Sequence, residues 1–260
     1  MFFGILSFFI LGAAVGSFLN VVIDRTTRGV PIAGKSYWRS YCDYCRATLG
    51  ILDLIPIFSF AVLWGRCRYC GRAISWQYPL VEGLTGFLFA LSFYKYFDEG
   101  NLGIFGLVYI LFVLSILVIV SVVDIKFSLI PTTFVYLVCL LSLFYNYFWL
   151  DSATFVTNVI WAFVFASAFF LIVAVTRGRG MGSGDIPLVF LMGLFLGWPR
   201  VFLAIFLAFI VGGLISVLLL LLRKKRFGQA IPFGPFLVLG TVIALFYGQE
   251  ITKWYWSYFS

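Results

Sequence analysis

The chain has no histidine among its 260 residues. That absence excludes Ser-His-Asp and Cys-His nucleophilic catalysis, histidine metal ligands and histidine proton shuttles together. Charge is also scarce. Asp, Glu, Lys and Arg make up 11% of the residues, against about 25% in soluble domains. The acid–base repertoire left is 10 carboxylates, 14 tyrosines, the lysines and 5 cysteines. Against these shortages stand 63% hydrophobic and 21% aromatic residues, with a mean hydropathy of +1.09. Such a chain cannot present an acceptable surface to water on every side. Its apolar runs compare with the ~20 residues that span a bilayer. Composition therefore predicts an all-α polytopic membrane protein.

Eight candidate spans follow in order: about 1–23, 79–97, 102–123, 130–149, 153–175, 186–197, 201–222 and 231–250. Placing residue 1 outside puts Arg25, Arg28, Lys35, Arg39, Arg46, Arg66, Arg68, Arg72, Lys126, Arg177, Arg179, Arg223, Lys224, Lys225 and Arg226 on the inside. Only Lys95, Arg200 and Lys253 then face outside, and both termini are external. The positive-inside bias accounts for the formal charge of +8, so no nucleic-acid partner is needed to explain it. Span 186–197 is the weak one. It gives about 18 Å of helix against about 30 Å of hydrocarbon, so it extends backward through the preceding glycines, tilts, or is partly re-entrant. The first run lacks a basic n-region and a clear small-x-small cleavage site, and reads as a retained helix. Its Gly12-x-x-x-Gly16 spacing suits close helix packing. No internal repeat or low-complexity tract is evident.

The one substantial polar segment, 24–78, carries four of the cysteines as Cys42-Asp-Tyr-Cys45 and Cys67-Arg-Tyr-Cys70. Two CxxC knuckles in a small loop match a tetrathiolate zinc site. Four thiolates close the coordination shell, so the metal would be structural and would supply folding energy that so short a segment lacks. Two disulfides or a redox pair are the other readings. The charge count places the loop in the reducing cytoplasm, where disulfides are rare, and no thioredoxin-like βαβ pattern surrounds it. Cys139 lies within a span and reads as a small buried apolar residue.

Two carboxylates stand at span boundaries. Asp124 ends the third span before Ile130-Pro131, and Asp185 follows Gly180-Met-Gly182-Ser-Gly184 directly before the sixth. Both fall on the inner side, from different helices, and can meet across a bundle. Two carboxyl groups forced together in a low-dielectric site share a proton, so that one activates water while the other polarises a peptide carbonyl. The alternating glycines Gly182 and Gly184 let the backbone approach an extended substrate. The plainer reading is two interfacial aspartates reaching water beside Lys126 and Arg179. A phosphate loop is disfavoured, because no strand precedes the glycines and no GK[ST] follows. Asn20, Asp24, Asp53 and Glu82 fall near the same face and read best as structural pairs, Glu82 with Arg72 as one option.

Six ordered stretches resemble the type IV prepilin peptidases, the membrane GxGD aspartic proteases. They are Gly16-Ser-Phe-Leu-Asn-Val-Val-Ile-Asp-Arg25; the two CxxC pairs with Leu54-Ile-Pro56 between them; Ile74-Ser-Trp-Gln-Tyr-Pro79 with Glu82; Asp124 with Ile130-Pro131; Gly182-Ser-Gly184-Asp185; and Ile231-Pro-Phe-Gly-Pro235-Phe236. The resemblance implies Asp124 and Asp185 as the catalytic pair, Gly182 and Gly184 as their loop, and a cytoplasmic domain bearing Cys42, Cys45, Cys67 and Cys70. It implies an enzyme of the bacterial inner membrane whose partners are type IV prepilins, type II secretion pseudopilins and the bilayer. Leader removal would occur at the cytoplasmic face, with S-adenosylmethionine-dependent N-methylation to follow. The implied domains are a first helix at 1–23, the zinc loop at 24–78 and a peptidase domain at 79–260. Pro187 and Thr132 depart from the family pattern, which often has Lys and Asp there. The competing class is a non-enzymatic membrane scaffold or transporter with a cytoplasmic zinc module.

Overall fold

The computed structural model describes residues 1–29, 40–98, 103–178, 180–223 and 231–257. Of the basic residues used for topology, Lys35, Arg39, Arg179, Lys224, Lys225 and Arg226 lie outside the described residues. Among the described residues the regular elements are helical, with two isolated β-bridges. The chain divides into two compact units, Met1–Ile119 and Val120–Ser260.

The first unit holds α1 (Phe2–Arg28), a 3₁₀ turn (Ile51–Leu54), α2 (Phe58–Val62), α3 (Gln77–Ser92) with a π-helical continuation (Phe93–Asp98), and the start of α4 (Ile104–Phe127). The end of α4 belongs to the second unit. There α5 (Thr132–Trp149), α6 (Ser152–Thr176), α7 (Asp185–Leu196), α8 (Arg200–Leu221) and α9 (Gly234–Trp256) follow. All eight apolar runs of the sequence are thus helical. Six of these helices, α1, α4, α5, α6, α8 and α9, are long and apolar enough to cross a membrane. The chain is a multi-pass helical membrane protein.

In the first unit, α1 and α3 run antiparallel. Gly12 faces Thr85 and Gly86, Gly16 faces Glu82, and Asn20 reaches the start of α3. The Gly12-x-x-x-Gly16 spacing does what it promised. A Cβ on Gly12 would lie 2.7 Å from the Thr85 carbonyl oxygen, and one on Gly16 would lie 2.8 Å from Glu82 Cα. Only glycine lets the two backbones meet this closely.

In the second unit, α7 packs against α5, α6, α8 and α9. Leu188, Val189, Leu191, Met192 and Leu194 are all at most 1% exposed. This is why a 12-residue helix suffices: a helix apolar on all sides is enclosed by protein, and its length need not match the hydrocarbon. Its last turn is satisfied from within, since Asn146 Nδ2 donates to the Leu194 carbonyl at 2.8 Å.

Gly16→Leu should lower the stability of the detergent-solubilised protein by about 1–3 kcal/mol, as overpacked cores do. The thermal unfolding midpoint reads this. Gly213→Ala, where an added Cβ meets no atom within 4 Å, should show no loss.

Candidate active site

Asp124 sits in the last turn of α4 and is 4% exposed. Its Oδ2 accepts a hydrogen bond from the Gly234 N–H at 2.9 Å. Gly234 is the first residue of α9, so the positive end of that helix faces the carboxylate. A Cβ on Gly234 would lie 2.7 Å from Asp124 Oδ2. The position therefore needs glycine for close approach.

Asp185 opens α7 and is likewise 4% exposed. Its Oδ2 accepts from the Gly182 N–H at 3.1 Å, and its own N–H donates to the Gly182 carbonyl at 3.2 Å. The loop before α7 therefore folds back on the carboxylate it carries. A Cβ on Gly184 would lie 2.9 Å from Ile130 Cβ, so this loop crosses the chain entering α5 at backbone distance. The two carboxylates interact electrostatically. The four site residues proposed from the sequence are gathered in the second unit. The role of Gly234 was not read from the sequence, where it was one residue of the last motif. A glycine-proline pair opening an apolar helix was the available signal.

The polar residues of the first unit find structural partners. Asn20 accepts from Gln77 Nε2 at 3.1 Å and donates to the Tyr78 carbonyl at 3.2 Å. Asp24 accepts the Tyr78 hydroxyl at 2.6 Å. Asp53 pairs with Arg68 at 2.9 Å. Glu82, buried on α3, accepts the Ile57 N–H at 2.7 Å and bonds Ser17. Arg72 lies instead over the Tyr44 ring at 4.7 Å.

The four loop cysteines also come together. All four sulfurs lie within 4.8 Å of one another, with Cys42 and Cys70 at 3.9 Å, and all five cysteines of the chain are free thiols. The cluster can hold a metal ion. Each pair sits on the same small turn. Cys42 N–H donates to Ala47 O and Arg46 N–H to Cys42 O; Cys67 N–H donates to Arg72 O and Gly71 N–H to Cys67 O. Bridges Tyr41–Thr48 and Arg66–Ala73 close the two turns, and Arg46 and Gly71 both take positive φ. Residues 41–48 and 66–73 are therefore a short structural repeat, although no repeat is evident in the sequence. Only the Cys-x-Tyr-Cys core repeats in letters. The Cys45 backbone N–H, with lesser help from neighbouring donors, brings the Cys42 thiol down to about 7, while Cys70, despite the Arg72 N–H, is pushed up to about 11 by burial and the neighbouring thiols.

Cys67→Ser should open the cluster and leave residues 40–76 sensitive to limited proteolysis, while the helices stay protected. Peptide mapping of the digest checks this, and a chelator acting on the unaltered chain should give the same cleavage pattern.

Against known proteins, residues 10–96 match the model of the Bacterial Peptidase A24 N-terminal domain, and residues 111–217 match that of the Type IV leader peptidase family. The chain is 30% identical over 275 residues to a prepilin leader peptidase/N-methyltransferase of Stutzerimonas stutzeri, covering 95% of this chain and 91% of that protein. It is 31% identical to one of Pseudomonas aeruginosa, with the same coverage. With one of Bacillus subtilis it shares 32% over 254 residues, covering 95% of this chain and 96% of the other. No solved structure matches the chain. Two family models in the expected order and relatives matched almost end to end agree with the arrangement of aspartates and cysteines: the chain belongs to the type IV leader peptidase family.

Proposed function

We propose that this chain is a prepilin leader peptidase that also N-methylates the new amino terminus. The observation that carries the reading is the pair Asp124 and Asp185. Both are buried at helix ends of one unit, and each is gripped through Oδ2 by a glycine N–H. The named activity of its relatives points the same way. A scaffold or transporter gives no reason for two such carboxylates beside glycine-only backbone.

Holding one oxygen of each carboxylate leaves the other for water and for the scissile carbonyl. With a single proton between them, the ionised aspartate takes a proton from the attacking water while the protonated one hydrogen-bonds the carbonyl oxygen. Proton return to the departing nitrogen then separates leader from pilin. No metal enters this scheme. Type IV prepilins are the substrates, and the same reading extends to pseudopilins of type II secretion. The excess of Lys and Arg on one side supports a cytoplasmic position for the active site and the cysteine loop.

We assign zinc to Cys42, Cys45, Cys67 and Cys70. Four thiols at mutual distances within 4.8 Å suit a tetrahedral ion with metal–sulfur bonds of about 2.3 Å. With its shell filled by sulfur, the ion would hold the two turns together rather than act on substrate. S-adenosylmethionine would supply the methyl group, as the relatives' name implies.

Asp124→Asn and Asp185→Asn should each lower leader cleavage at least about a thousandfold, as loss of a catalytic group does, in protein that still inserts and unfolds normally. Intact mass of a prepilin in proteoliposomes reads it. With the unaltered enzyme, S-adenosylmethionine should add the mass of one methylene to the cleaved pilin, and elemental analysis should find one zinc per chain. Gly234→Ala should reduce kcat by about a hundredfold through misplacement of Asp124.

A further inference from the structure

The apolar stretch inside the cysteine loop is explained neither by the metal cluster nor by the peptidase site. From Ile51 to Trp64 the chain has one charged residue, Asp53, and that one is paired with Arg68. Its hydrophobic side chains do not form a core. Ile51 is 87% exposed, Leu52 64%, Phe58 61%, Val62 55% and Trp64 89%. Phe58 and Val62 stand one turn apart on α2 and share a face. Phe60, between them, turns the other way, onto Trp76 at 4.9 Å and against Gly65. A water-facing module seldom leaves so continuous an apolar stretch uncovered.

The place of this stretch along α3 says what covers it. The Ile57 N–H is held at 2.7 Å by the Glu82 carboxylate. Ile57 Cδ1 reaches to 3.9 Å of where a Cβ on Gly83 would be. Ile57 therefore lies beside the first two turns of α3, not beyond its end. The first half of α3 carries an outward apolar stripe, Leu80, Leu84 and Phe87, spaced as one helix face. The stripe and the Ile57 backbone share one level. Ile57 also takes φ +62°, a costly conformation for a β-branched residue. Glu82 fixes the chain there.

We propose that Ile51–Trp64 lies in the membrane interface, with Ile51, Leu52, Phe58, Val62 and Trp64 set among lipid at the headgroup–acyl boundary. The stretch is too short and too broken to cross. Pro56 and the turns around it leave backbone groups that need water or headgroups, which the hydrocarbon interior does not supply. Arg66 follows directly and complements anionic lipid, as basic residues do in other interfacial segments. Trp64 and Trp76, the latter 70% exposed, are suited to the same layer.

The test uses the full chain in nanodiscs of phosphatidylethanolamine and phosphatidylglycerol. An environment-sensitive fluorescent amino acid replaces Leu52 in one sample and Trp64 in another. Both side chains are mostly exposed, so replacement removes little packing, and an unchanged thermal midpoint verifies the fold. Spin-labelled lipids then quench from a shallow or a deep acyl position, and iodide quenches from water. We expect strong quenching by the shallow label, several-fold weaker quenching by the deep one, and shielding from iodide. Iodide quenching as strong as for the free amino acid would overturn the proposal, leaving the stretch in water. Shielding from all three quenchers would overturn it in favour of a protein cover. Stronger quenching by the deep label would overturn it in favour of a re-entrant loop. None of these outcomes depends on whether the chain cleaves prepilins.

Discussion

A buried carboxylate in a protein this apolar needs an answering charge or donor close at hand, and here backbone N–H groups provide it. Gly234 serves Asp124, Gly182 serves Asp185 and Ile57 serves Glu82. An amide N–H brings no charge that must itself be desolvated, and it is positioned by secondary structure rather than by a flexible side chain. The cost falls on backbone geometry. Gly234 has no room for a Cβ, Gly184 must pass Ile130 at backbone distance, and Ile57 is held at positive φ. The turns and helix starts around these carboxylates follow from that constraint.

Helix packing follows the same logic of close backbone approach. Glycines bring α1 onto α3, and elsewhere Gly193 meets Ala162 and Gly240 meets Ala204. In a bilayer there is little hydrophobic drive to bring helices together, so contact quality decides association. Enclosure of α7 lets a helix too short for the hydrocarbon carry Asp185 at its first residue. The cysteine module solves a different problem. It is too small for a core, and its apolar residues point outward, while its four cysteine sulfurs gather within 4.8 Å of one another, where a metal ion can join the two turns.

Much of the candidate site was legible in the residues. The apolar runs, the two CxxC pairs and the GxGD aspartate are local patterns, and each lies where those patterns placed it. Gly12 and Gly16 were read as a packing pair and pack as one. Less legible were partners far apart in sequence. Glu82 offered Arg72 as a plausible cation, yet it binds an amide on Ile57. Gly234 carried no chemistry of its own, and its part appears only because α9 begins against Asp124. The knuckle repeat was hidden because a turn needs positive φ, which Arg46 and Gly71 both adopt with different side chains.

The sequence by itself determined that the protein is helical, crosses the membrane several times and has neither histidine chemistry nor a soluble core. Hydropathy and ligand spacing act over a few residues, so the letters suffice for them. The tertiary structure alone decided which N–H groups answer which carboxylates, how the four thiols converge and why α7 can be short. Those outcomes depend on contacts between segments as much as 110 residues apart, set by how backbones pack, and no local pattern records them.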